Sequence, residues 1–292
     1  MLERRSALKV LSASGLVALV GAACSDDPDR VATGATTTTG ESPTSTEPPT
    51  SASSCAAIPE ETAGPYPGDG SNGPDVLSTD GVVREDIRAS VGGATGVAEG
   101  IPLSIRLTLQ DATAACTPLA GLAVYLWHCD REGRYSMYSD GVEDQNYLRG
   151  VQPSGDDGVV SFTSIFPACY SGRWPHLHLE VHRDVSSATS GATPIATSQV
   201  ALPEDWCDRV YATDGYEQSV SNLRSLSLER DNVFGEDGAA HELGTVTGDL
   251  DGLTVSLVVP VDPAGSSSSS GGTGGPGGPR PGSTPDGAPP LP

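Results

Sequence analysis

Apolar and polar residues alternate along several short segments of the chain. From Leu103 to Leu109 every second residue is apolar, and this period of two is typical of a half-buried β-strand. Residues 121–129 are apolar on both faces, which indicates a central strand. The strand pattern recurs at residues 158–165, 176–182 and 252–259, and turn-forming clusters separate the strands at 118–121, 150–158 and 186–191.

The sequence shows no convincing long amphipathic helix between these segments. Many short strands with frequent turn signals are typical of two packed sheets. We therefore predict an all-β fold, with a β-sandwich core and long loops.

Two segments are poor in apolar residues. Residues 25–54 are rich in Thr, Ser, Pro, Gly and Asp, and residues 263–292 are a run of Gly, Pro and Ser. Because neither segment can bury enough apolar surface to offset chain entropy, we expect both to be disordered. Residues 55–262 remain, which is about the size of one β-domain.

Residues 1–24 have the form of an export signal. Arg4 and Arg5 precede a short apolar stretch, which is the pattern of a twin-arginine signal and is too short for a comfortable membrane span. The four residues ending at Cys24 also resemble a bacterial lipobox, although glycine stands at position 21, where leucine is usual. We predict an exported protein, extracellular or anchored at the cell surface by a lipid on Cys24, and the lipidation stays open.

The formal net charge of the chain is −22. Such an acidic surface would repel nucleic acids and anionic membranes, so we exclude both as partners. Five cysteines follow Cys24, and in an exported protein the default expectation is disulfide bonds. Pairing cannot be read from the sequence; our suggestions are Cys169–Cys207 and Cys116–Cys129.

Metal-binding side chains are concentrated in residues 176–182. His176, His178, Glu180 and His182 share one face of this predicted strand. Two histidines with His182 or Glu180 would form a zinc site and indicate a secreted zinc hydrolase. Tyr170 lies nearby, however, and a phenolate binds strongly only to a highly charged ion such as Fe(III). Both alternatives stay open at this point.

Three segments together resemble the intradiol ring-cleavage dioxygenases, the family of catechol and protocatechuate dioxygenases. They are residues 59–70, 127–138 and 146–181, and the resemblance runs from about Ile58 to Ala212. It is greatest to the secreted, single-domain members of actinobacterial type.

The resemblance implies a β-sandwich that binds one non-haem Fe(III) and cleaves a catechol between its hydroxylated carbons with O₂. The implied iron ligands are Tyr135, Tyr170, His176 and His178. Arg173 and Tyr170 would act in catalysis, and the residues near the substrate would be Gln199, Pro65, Tyr66 and Trp174.

The remaining residues of this region have secondary roles in this interpretation. His182 would be a bystander at the strand end, and Glu180 would support a ligand or be solvated. Cys169 departs from the family pattern beside Tyr170, and we expect it in a disulfide. A function of a different class also stays open, namely a binding module that holds aromatics or sugars without turnover.

Overall fold

The computed structural model describes residues 55–265. The predicted export signal with Cys24, the predicted linker and all but the first three residues of the predicted tail lie outside the described residues. Within them, no helix is long and apolar enough to cross a membrane.

Most of the regular secondary structure in residues 55–265 is strand. The strands are β1 (Pro102–Asp111), β2 (Thr117–Pro118), β3 (Ala123–Trp127), β4 (Arg149–Pro153), β5 (Val159–Ile165), β6 (His176–His182), β7 (Ala196–Ala201), β8 (Thr245–Asp249) and β9 (Gly252–Val261). Three short helices and two 3₁₀ helices lie in the connections: α1 (Val185–Thr189), α2 (Glu204–Tyr211), α3 (Glu217–Leu223), Leu228–Arg230 and Phe234–Glu236.

The strands form two sheets. One has the order β2-β1-β9-β8, with β5 also paired to β1, and the other has the order β4-β3-β6-β7. Apolar side chains from β1 and β9 pack with those from β3 and β6 in one buried core. The structure therefore confirms the predicted all-β sandwich, and strands β1 and β9 pair in parallel whereas the other strand pairs are antiparallel.

Strand β6 is central to its sheet and buried along its whole length. It pairs with β3 on one side and with β7 on the other. Leu177, Leu179 and Val181 belong to the core between the sheets, so the residues of the opposite parity face the outer side of the sheet, where the long loops cover them. This arrangement positions the histidine-rich face in a buried space under those loops.

Strand β4 was not predicted, because Gly150 and Pro153 resemble a turn. Both residues fit a strand here for local reasons. A Cβ at Gly150 would lie 2.5 Å from Cγ2 of Ile87, so only glycine leaves room for that side chain. Pro153 ends an edge strand, where a missing N–H is tolerated. The prediction of a turn over residues 150–158 is therefore wrong for its first four residues.

The N-terminal strap, residues 55–68, crosses the sandwich. The N–H of Ile58 donates to the carbonyl of Pro260 at 2.8 Å, and the N–H of Glu61 donates to the carbonyl of Thr197 at 2.8 Å. A disulfide between Cys55 and Cys116 fixes the start of the strap to the turn after β1.

The disulfide corrects our suggested cysteine pairings. Cys116 pairs with Cys55, whereas Cys129, Cys169 and Cys207 are free and buried. Both suggested pairs are therefore wrong, and so is the expectation that Cys169 lies in a disulfide. Pairing depends on which Cβ atoms the fold brings within about 4 Å, and only the course of the strap brings Cys55 to Cys116.

Candidate metal centre

His176 and His178 place their ring nitrogens side by side. They alternate with core residues on β6, so both imidazoles leave the sheet on the same side. Their Nε2 atoms are 3.0 Å apart. Two buried imidazole nitrogens at this separation face a common point.

Two phenols complete a ring of four donor atoms. Tyr135 comes from the loop after β3, and Tyr170 comes from the loop after β5. The oxygen of Tyr135 lies 3.3 Å from Nε2 of His178, the oxygen of Tyr170 lies 3.2 Å from Nε2 of His176, and the two oxygens are 3.4 Å apart. The structure thus brings together the four residues that the resemblance implies as ligands.

Burial favours the neutral form of both imidazoles, and the lone pair on Nε2 of His176 is available. Nδ1 of His176 contacts the carbonyl oxygen of Trp174, which only accepts hydrogen bonds, so Nδ1 carries the proton and Nε2 does not. Burial, followed by the charge of Arg173, lowers the pKa of His176 to about 3. Burial, followed by the neighbouring His176, lowers the pKa of His178 well below its usual value.

The phenols need a strong Lewis acid to ionise. Burial raises the pKa of Tyr135 well above its usual value, and burial also raises the pKa of Tyr170. Neither side chain would lose its proton at neutral pH without a highly charged ion beside it.

The donor set fits a ferric ion. Donor atoms 3.0–3.4 Å apart can all lie about 2 Å from one central ion. Two hard phenol oxygens with two imidazoles suit an ion of high charge. Within residues 55–265, no three His, Cys, Asp or Glu side chains converge as a metal site, so the zinc set of His176, His178 and His182 or Glu180 is wrong.

Glu180 and His182 contact each other instead. Their side chains are 3.4 Å apart at Oε2 and Nε2, and both are buried. Glu180 is therefore not solvated, which corrects one of the two roles we expected for it. Both side chains lie further along β6, and within the described residues neither converges with His176 and His178 as a metal site.

Trp127 and Gly64 fix the ring of His178. The indole of Trp127 stacks on this imidazole, with centroids 4.9 Å apart and planes 2° apart. A Cβ at Gly64 of the strap would lie 3.2 Å from Cε1 of His178, and Gly64 has a φ of +71°. Gly64 therefore allows the strap to approach the ring. The two rings stack because the register of the sheet places Trp127 opposite His178.

Arg173 and Gln199 lie together beside the donor ring. Nη2 of Arg173 donates to Oε1 of Gln199 at 2.7 Å, and Nε2 of Gln199 donates to the carbonyl of Thr62 at 2.8 Å. Gln199 lies opposite His178 in the sheet, which places it next to a residue of the donor ring. Arg173 also pairs with Asp231, a residue that the sequence gave no reason to select.

The other residues implied near the substrate have different surroundings. Tyr66 packs against Tyr135 with ring centroids 5.0 Å apart, and Pro65 is exposed beside it. Trp174 is buried in the core, and its indole N–H donates to the carbonyl of Leu202 at 2.9 Å. Its position is that of a packing residue, and contact of these three residues with substrate stays a prediction.

Parts of this chain are similar to known dioxygenases. A family model described as "Dioxygenase" matches residues 83–181. Chlorocatechol 1,2-dioxygenase of Rhodococcus opacus is 39% identical over 66 residues, which cover 23% of this chain and 26% of that protein. The chain thus matches only about a quarter of the length of this relative.

A solved structure matches a much larger part of the chain. It is an intradiol ring-cleavage dioxygenase from Tetranychus urticae, 25% identical, with a TM-score of 0.58. The match covers 72% of this chain and 96% of that one.

Proposed function

We propose that this chain is an exported non-haem Fe(III) enzyme of the intradiol ring-cleavage dioxygenase family, which its matches to the "Dioxygenase" family model and to the Tetranychus urticae structure support. It would cleave a catechol between the two hydroxylated carbons with O₂ and release a muconate-type diacid. The observation that carries the proposal is the buried ring of two imidazole nitrogens and two phenol oxygens.

Tyr135, Tyr170, His176 and His178 would hold one iron. When bound, Fe(III) acts as a Lewis acid that favours loss of the diol protons and binding of the diol as a chelate. Because burial raises the pKa of both phenols, each oxygen takes a proton back readily when it leaves the ion.

Tyr170 is the better candidate for the base. Its side chain is partly exposed, whereas Tyr135 is buried and packed against the ring of Tyr66. Tyr170 therefore has room to move aside and accept a proton from a substrate hydroxyl at its phenol oxygen. Tyr135 would stay in place.

Arg173 would stabilise the negative charge that develops on the catechol ring as O₂ adds. Its guanidinium is buried and fixed by Gln199 and Asp231, so no reorganisation is needed when charge appears. The N-terminal strap and the rings of Tyr66 and Tyr138 would exclude water from the buried side of the site.

Export is part of the proposal and is supported by the sequence alone. Arg4 and Arg5 with the following apolar stretch support the twin-arginine route, and Cys24 supports a lipid anchor. The Cys55–Cys116 disulfide is consistent with an oxidising compartment. Under this proposal the protein is of the secreted, single-domain actinobacterial type.

The test is oxygen uptake with catechol, protocatechuate and hydroxyquinol, with the ring-opened diacid identified by its mass. Arg173→Ala should lower the rate by about 10²–10³ while iron stays bound. Arg173→Lys should rescue little, because an ammonium does not reproduce a planar guanidinium.

Arg183→Ala is the matched control for this test. Arg183 is exposed and donates only to the carbonyls of Pro263 and Ala264, so its loss should leave the rate unchanged. Iron-loaded protein that binds these diols with a spectral shift but consumes no oxygen would contradict the proposal and favour the binding module.

A further inference from the structure

The guanidinium of Arg173 is held at two of its three nitrogens. Nη2 donates to Gln199 at 2.7 Å, and Nε donates to Oδ2 of Asp231 at 3.0 Å. Asp231 lies between the two 3₁₀ helices, well beyond the residues that the family model matches. Nη1 has no hydrogen-bond partner within residues 55–265, so it is the nitrogen left for another ligand.

Asp231 is itself rigidly held. Its carboxylate accepts the backbone N–H of Trp174 at 2.7 Å, of Val233 at 2.9 Å and of Phe234 at 3.2 Å. Burial opposes ionisation of this group, but Arg173 and the backbone N–H groups outweigh burial and hold the pKa of Asp231 below its usual value. A carboxylate fixed by three backbone donors determines where its guanidinium partner can lie.

Arg173 is close to the donor ring. Its charge is among the causes that lower the pKa of His176 and oppose the rise in the pKa of Tyr170, in both cases after burial. The ring of Phe234 lies 5.7 Å from Cζ of Arg173 and 6.3 Å from the ring of His176. The loop that carries Asp231 and Phe234 therefore packs against both Arg173 and His176 of the donor ring.

We propose that Asp231 is a positioning residue for ring cleavage: it fixes Arg173 so that Nη1 stays directed to the substrate. The proposal rests on the proposed function. Asp231 makes no hydrogen bond to the four donor atoms and, in this account, none to the substrate, so it acts on the reaction mainly through Arg173. The effect of Asp231 on kcat should therefore vanish when Arg173 is absent.

A double-mutant cycle tests this dependence. Asp231→Asn keeps the shape but places an amide N–H₂ or a weaker acceptor against the Nε–H of Arg173. We expect kcat for catechol to fall about 10²-fold, the effect of a misplaced catalytic group. In the Arg173→Ala background the same change should alter kcat less than about twofold.

Glu236→Gln is the matched control for the cycle. It removes one negative charge from the same loop, at an exposed side chain that makes no contact with Arg173, and kcat should be unchanged. An equal fall caused by Asp231→Asn in both backgrounds would show a merely structural role and overturn the proposal. An unchanged kcat in Asp231→Asn would overturn it as well.

A second readout does not depend on turnover. In ¹⁵N-arginine-labelled protein loaded with Ga(III), a diamagnetic ion of the same charge as Fe(III), the Nε–H of Arg173 should exchange slowly with solvent. Asp231→Asn should speed this exchange about tenfold or more, and Glu236→Gln should not. Equal protection in Asp231→Asn would overturn the proposal. If no diol is turned over by the wild type, the proposed function fails, and this exchange rate still tests the positioning.

Discussion

Three histidines on one face of β6 have different partners. Nε2 of His176 and Nε2 of His178 face each other and the two phenols. His182 lies beside Glu180, and neither of its ring nitrogens makes a hydrogen bond of good geometry within the described residues. In the proposed function, the same residue type therefore serves metal binding at two positions and packing at the third.

His182→Ala should leave iron bound but lower stability. The side chain is buried, and its loss leaves a cavity and an unpaired Glu180, which should cost about 2–4 kcal/mol. His176→Ala and Tyr135→Phe should each lose iron or activity. The measurements are iron per chain and thermal unfolding. Release of iron by His182→Ala as readily as by His176→Ala would show that the ligands along this strand are wrongly assigned.

At the scale of elements, the strap closes the site from outside the sheet. It reaches His178 at Gly64 and Gln199 at Thr62. The Cys55–Cys116 disulfide holds its start. The strap therefore contacts both a proposed iron ligand and a residue proposed to lie near the substrate.

Cys55→Ser should destabilise the protein by about 2–4 kcal/mol, because the disulfide closes a long loop in the unfolded chain. Cys116→Ser and the double variant should give the same loss, since either change removes the same bridge. Chemical denaturation of the three variants measures this. A double variant much less stable than either single variant would contradict the assignment of a single bridge.

Arg149 joins the strap to the loop that carries Tyr135. Its guanidinium donates to the carbonyl of Pro67 at 2.8 Å and to the carbonyl of Ser136 at 3.0 Å, and the side chain is buried. Two irregular segments over the donor ring are thus fixed by one side chain.

Arg149→Met should lower stability by about 3–5 kcal/mol, because buried acceptors lose a charged donor. It should also weaken iron binding, since Tyr135 follows the freed loop. Denaturation and an iron-chelator competition measure the two effects. Full stability with wild-type iron retention would contradict this role.

At the scale of the whole molecule, the buried carboxyl of Glu242 makes the stability of the fold depend on pH. Burial, and then the nearby Glu61, raises the pKa of Glu242 to about 8. A carboxyl whose pKa is raised on folding binds more protons in the folded state, so its contribution to stability is fully present below its unfolded pKa and is lost as the pH rises from there through its folded pKa.

We therefore expect the ionisation of Glu242 to lower the free energy of unfolding as the pH rises from about 5 to 8. Glu242→Gln should flatten this fall by about 1 kcal/mol or more, because the substituted amide does not ionise. Thermal unfolding of both proteins across this range is the measurement. Identical pH profiles would contradict the raised pKa.

Local patterns predicted much of the fold, and the family resemblance implied the residues of the donor ring. The alternation in β1 and β6 depends only on which face is buried, so it is visible in sequence. Strand β4 was missed because the need for glycine at position 150 arises from packing against Ile87, a residue distant along the chain. Asp231 was missed for the same reason, since its role arises from Arg173, 58 residues away. Contacts between loops leave no periodic signal.

The most direct test of the central claim is the metal content and visible spectrum of the purified full-length protein. We predict one Fe(III) per chain and a phenolate-to-iron absorption band that makes the protein red-brown. The band should be lost or strongly changed in Tyr135→Phe. A colourless protein that contains stoichiometric zinc would contradict the account.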